Sequence, residues 1–128
     1  MLKHRNPTTI AKPAGRYSHL VEVPPQARWV YVAGQVGLKP DGTMLQGFEA
    51  QAEQAWRNLE AALAAAGMAL GDIVRINYYL TDAENVPVAR AVRDRFIRDP
   101  APAATLAIVK ALASPAWLFE IEAVAAKA

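Results

Sequence analysis

The sequence has no cysteine, which excludes a disulfide framework, a thiolate nucleophile and a cysteine-ligated zinc site together. A reducing compartment is the simple reading, so a cytoplasmic protein is expected. Histidine is almost as scarce: His4 and His19 are the only two, and neither has a His or Cys three or four residues away to complete a metal pair. No metal site and no cofactor are expected. Ser18 and Ser114 are the only serines, and neither sits in a Gly-x-Ser-x-Gly elbow. The glycine-containing stretch Ala33-Gly34-Gln35-Val36-Gly37 lacks a third glycine and does not lead directly into a helix, which disfavours a nucleotide fold.

Long apolar runs are missing too. Nothing approaches the roughly 20 apolar residues of a membrane span. The basic N-terminal stretch MLKHRNPTTIAKPAG has no apolar core of signal-peptide length, so neither export nor insertion is expected. Charge of one sign is also lacking, since the net charge is only +2. Arg90, Arg93, Arg95 and Arg98 spread around one helical segment and are interrupted by Asp94, which reads as a solvated face rather than a nucleic-acid stripe. No nucleic-acid partner is expected.

What the chain does have is enough apolar residue, 53% of 128, for one real core, and the reading is a single domain over residues 1–128. Two short extended segments, Tyr17 to Val23 and Trp29 to Val32, flank the breaker Pro24-Pro25 and read as adjacent antiparallel strands. A third extended piece begins near Gly34 and breaks at Lys39-Pro40-Asp41-Gly42-Thr43, a hairpin or loop tip. From Phe48 to Ala66 the apolar positions Ala52, Ala55, Trp56, Leu59, Ala62, Leu63 and Ala66 follow helical spacing, with Gly67 placed to end the helix.

Ile73 to Leu80 is short and rich in β-branched and aromatic residues, so it reads as a strand. Its alternation puts Val74, Ile76, Tyr78 and Leu80 on one face, with Arg75, Asn77 and Tyr79 on the other. A second helix is predicted from about Val86 to Ile97, with Asn85 as its N-cap. Strands at Ala104 to Val109 and Leu118 to Ala125 complete the set. This order fits an α+β fold, one mixed sheet with two helices on one face. Its second face carries Arg75, Asn77, Tyr79, Glu120 and Glu122, and is read as a subunit interface.

Glu120 stands inside the apolar run Leu118 to Val124, where a carboxylate costs free energy unless it is paired or meets water. Two readings are open: a structural residue paired with Arg75 or with a neighbour's lysine, or a partly desolvated carboxylate that holds a water for general acid or base work. The residue pattern does not decide between them.

Taken together, Arg5-Asn6-Pro7, Pro13-Ala14-Gly15-Arg16-Tyr17-Ser18-His19, Val32-Ala33-Gly34-Gln35-Val36, Gln54 to Asn58, Asp72-Ile73-Val74, Pro102-Ala103-Ala104 and Phe119-Glu120-Ile121-Glu122-Ala123 resemble the RidA (YjgF) family, also labelled endoribonuclease L-PSP. The likeness runs in order along almost the whole chain. It implies a chorismate-mutase-like fold and a homotrimeric barrel with small-molecule clefts between subunits. It also implies hydrolysis of reactive enamines and imines, such as 2-aminoacrylate and its imine tautomer, to a 2-keto acid and ammonia without a cofactor.

By position, the resemblance gives Glu120 the role of the water-orienting glutamate, Tyr17 that of the cleft tyrosine and Gly34 that of the turn glycine. The arginine that grips a substrate carboxylate in the family is Ala104 here, and the asparagine expected on the second helix is Ala89. Arg16, in place of a more usual proline, is a candidate substitute anchor, the alternative being an ordinary surface residue. The rival class is a non-catalytic trimeric protein that binds a small ligand or regulates. RNA cleavage follows only from the family's label.

Overall fold

The computed structural model describes residues 1–128. Strands β1 (Lys3–Arg5) and β2 (Leu20–Glu22) pair with each other, then β3 (Arg28–Gln35) leads to helix α1 (Phe48–Ala65). Strand β4 (Ile73–Leu80), helix α2 (Val86–Phe96), β5 (Ala103–Ile108) and β6 (Phe119–Lys127) follow. The main sheet has the order β3-β6-β4-β5, with β6 antiparallel to both neighbours and β4 parallel to β5. The parallel pair is joined through α2, as a parallel crossover requires.

Both helices cover one face. Trp56, Leu59 and Leu63 of α1 and Ala89 and Val92 of α2 share one buried cluster with Ile76, Leu80, Phe119 and Ile121 of the sheet. Trp56 stacks on Phe96 with ring centroids 5.3 Å apart, which locks the two helices together. At the end of α1, Gly67 takes φ +72° and Met68 N–H donates to Leu63 C=O, the left-handed stop that the sequence suggests. The Lys39 to Thr43 tip closes with Gly42 at φ +89° and a bridge between Leu38 and Met44. No helix is long and apolar enough to cross a membrane.

Three local expectations are corrected. The first extended segment does not pair with β3; β2 takes the N-terminal arm instead. Pro24 and Pro25 offer no N–H to a ladder, while Arg5–Glu22 (3.2 Å) and the Asn6 side chain, accepting from His19 N–H (2.8 Å), tie the arm to β2. Tyr17 therefore lies in the coil ahead of β2. A register irregularity between Ile73 and Arg75 puts Ile73, not Val74, into the core, because an extra residue in a strand flips the alternation. Asn85 stands at the N-cap of α2 as expected, but its side chain makes no cap bond; Asp82 caps the preceding turn by accepting from Glu84 N–H.

Candidate functional site

The second face of the sheet has no helix over it. On β6, Glu120 and Glu122 are two residues apart and project from the same side, while Phe119, Ile121 and Ala123 fill the core. Across the ladder, Glu120 stands opposite Tyr79 and Glu122 opposite Asn77. Glu122 Oε1 accepts from the Tyr79 hydroxyl at 3.1 Å and from Asn77 Nδ2 at 3.2 Å. Asn77 Oδ1 is buried without a partner.

Glu120 is different. On its other side β3 is irregular between Val32 and Gln35, and the carboxylate lies against Gly34 so closely that a side chain there would run into Glu120 Oε2. Glycine at this point is a requirement of close approach. No group of the chain pairs with the Glu120 carboxylate. Arg75, the expected partner, instead donates to Thr105 Oγ1 at 2.8 Å. Desolvation, and secondarily the charge of Glu122, push the Glu120 carboxyl above the usual carboxylate range.

Helix α1 holds this pair in place from beneath. Gln51, 2% exposed, donates to the carbonyls of Leu45 (3.0 Å) and Ala116 (2.9 Å) and accepts from Leu118 N–H (2.9 Å). Asn58 Nδ2 donates to the Val36 and Leu38 carbonyls at 3.0 and 2.7 Å. The chain entering β6 just before Glu120 and the chain leaving β3 just after Gly34 are thus pinned to one helix. Gln51 escaped the sequence reading, although a signal existed: it falls within the apolar stripe three residues after Phe48 and one before Ala52.

The other candidates form a second group. Tyr17 lies edge-on to His19 at 5.8 Å, and its hydroxyl accepts from Ala14 N–H. Ser18 bonds the carbonyls of Ala101 and Pro102. Arg16 is engaged twice, Nε with Asp94 at 3.0 Å and Nη1 with Asp99 at 3.1 Å. Between the arm and the exit of α2 lies a cavity of about 720 Å³ whose lining includes His4, Lys12, Arg16, Tyr17 and Asp99.

Ala104 is opposite Ile76 and packs towards the helix side. Glu120 faces the other side, level with Tyr79, three residues farther along β4 and roughly 10 Å away along the strand. The chain therefore brings Glu120 to Gly34 and Arg16 to Tyr17, but presents Ala104 on a different face from Glu120. No group of three His, Asp or Glu side chains converges anywhere.

An α+β domain with a helix-covered mixed sheet and a carboxylate seated on a β3 glycine defines the class. The endoribonuclease L-PSP family model matches residues 8–127, and the chain belongs to that family, known also by the names RidA and RutC. It is 33% identical over 118 residues to a RutC family protein of Aquifex aeolicus, covering 90% of this chain and 91% of that one. A 2-iminobutanoate/2-iminopropanoate deaminase of Dermatophagoides farinae is 31% identical over 94 residues, 72% of this chain and 71% of that protein. The crystal structure of RidA from an Antarctic Psychrobacter superposes with a TM-score of 0.74 at 36% identity, covering 88% of this chain and 89% of that one.

Proposed function

We propose that this protein assembles as a homotrimer and binds and hydrolyses a small reactive imine or enamine in clefts between subunits, with Glu120 handling the proton of the attacking water. One observation carries the reading: a half-buried carboxylate with no partner in its own chain, fixed against Gly34. Such a group accepts a proton more readily than an ordinary glutamate, as a general base working near neutrality must. Water adds to the C=N carbon as Glu120 takes its proton. That proton passes to the imine nitrogen to give a neutral carbinolamine, and Glu120 then takes the hydroxyl proton and delivers it to the amine as the C–N bond breaks, leaving a carbonyl and ammonia. Water and imine are consumed, and nothing else is needed.

Assembly is supported by the uncovered sheet face, where Tyr31 is 77% and Trp29 48% exposed beside a half-buried polar network. Exposed aromatic surface of this kind marks interfaces. The separation of the Arg16–Tyr17 group from Glu120 suits a cleft completed by a second subunit. Substrate recognition differs from that of members with Pro-Ala-Arg: Ala104 offers no donor, and both ion pairs of Arg16 are internal. A charge-assisted bidentate contact contributes on the order of 1.5 to 3 kcal/mol. The preferred substrate is therefore an imine held without a carboxylate clamp, and 2-iminopropanoate is hydrolysed poorly.

The test couples an amino acid oxidase and an amine oxidase, which generate imines from a panel of amino acids and amines respectively, to ammonia detection. Glu120→Gln should lower the best rate by about two orders of magnitude or more with the trimer intact by light scattering. A monomer, or an unchanged rate in the variant, overturns the reading. Binding without turnover across the panel favours the ligand-binding alternative.

A further inference from the structure

The mechanism above leaves Glu122 of the sheet face unused. Glu122 is more firmly held than Glu120: it accepts from both the Tyr79 hydroxyl and Asn77 Nδ2, whereas Glu120 has no such donor. It points the same way as Glu120 from two residues along β6, and the strand's pleat leaves no apolar residue between the two carboxyls. The Tyr79 ring comes from directly opposite Glu120, yet its hydroxyl turns to Glu122.

We infer that Glu122 is a positioning residue for the reaction: held by Tyr79 and Asn77 two residues along the same face of β6, its carboxylate adds to the proton affinity of Glu120. The inference rests on the reading of Glu120 as the group that handles the proton. Charged and titratable groups facing Glu120 are few. Its own strand supplies Glu122; β4 supplies Tyr79, and farther along Arg75, whose guanidinium is turned to Thr105 on β5; β3 supplies only the backbone of Gly34. The Glu120 carboxyl is pushed upward first by desolvation and then by the charge of Glu122, which agrees. A glutamate so tuned can take a proton from water and return it to the leaving nitrogen.

Carboxyl NMR titration of Glu120 in the assembled protein tests this without any substrate, so it stands or falls separately from the deaminase assay. Glu122→Gln removes the charge and keeps an amide that fits the site, and should move the Glu120 midpoint to lower pH. Tyr79→Phe removes the donor that draws charge away from Glu120, and should leave the midpoint in place or raise it. Mere loosening of the site admits water and lowers both. A midpoint unmoved by Glu122→Gln, or lowered by both variants, overturns the inference. If Glu122→Gln does not assemble, the wild-type protein decides: added salt screens charge repulsion but not desolvation, so the Glu120 midpoint should fall with ionic strength, and a salt-independent midpoint overturns the inference.

Discussion

On the helix side of the sheet, Ile76, Leu80, Phe119 and Ile121 lie under Trp56, Leu59 and Val92, each 1% exposed or less. One residue away along the same strands, Asn77, Tyr79 and Glu122 lie half-buried with only each other for partners, Glu120 lies half-buried with none, and Tyr31 stands in the open. The covered side is built for stability within the chain; the other holds a polar network and an unpaired carboxylate that no helix covers. Period-two alternation lets one strand serve both purposes without compromise, since a core residue and a site residue never compete for the same direction.

The largest expected effect lies on the covered side. Trp56→Ala removes a fully buried indole stacked on Phe96 and should cost about 3–5 kcal/mol in denaturant unfolding. Tyr31→Ala, on a side chain 77% exposed, should cost under about 1 kcal/mol within the protomer but weaken assembly, measured by light scattering over a dilution series. Equal destabilisation by the two with assembly unaffected would abolish the distinction between the faces.

An intermediate effect belongs to the residue that joins the faces. Gln51 is rooted among the apolar side chains of α1 yet bonds the segments around Leu45 and Ala116–Leu118 that frame Gly34 and Glu120. Gln51→Leu keeps most of the volume and loses all three bonds, leaving two carbonyls and an N–H to find new partners. The expected loss is about 1–3 kcal/mol, with a fall in kcat larger than any change in KM as Glu120 loses its placement. A stability loss with kinetics untouched would show that the clamp serves the fold alone.

Much of this architecture was legible in the residues. The α1 stripe, the Gly67 stop and the alternation of β6 were visible because helix and strand periods are local properties of sequence. The pairing of β2 with β1 was not, since it depends on side-chain ties from Asn6 and Arg5 to residues more than a dozen positions away. The Val74 error has the same origin: one inserted residue is invisible to a period-two pattern yet inverts it. At the site, Glu120 stood out as a carboxylate in an apolar run, but its choice of partner did not. The Arg75 guanidinium could reach either neighbouring strand, and only the register, with Thr105 opposite Asn77, shows why it turns to β5.

The smallest predicted effect is also the sharpest test of the uncovered face. The Glu120 carboxyl is pushed above the usual carboxylate range, first by desolvation and then by Glu122, while in the unfolded chain it titrates near the ordinary value of about 4.3. In the window just above that value the folded protein binds more protons than the unfolded one. Stability therefore falls as pH rises through the window, and the full penalty is present at neutral pH. Glu120→Gln has no such charge to hold. It should be the more stable protein at pH 7, by at most about 1 kcal/mol because the half-buried group is still screened by water, and the difference should vanish as pH falls below the ordinary glutamate value. Thermal unfolding of both proteins at matched concentration between pH 4 and pH 8 measures this directly. A wild type that is the more stable at pH 7 would mean that assembly supplies Glu120 with a cationic partner from the neighbouring subunit. The carboxylate would then be structural, as an ion pair across an interface, and the two faces of the sheet would share one purpose.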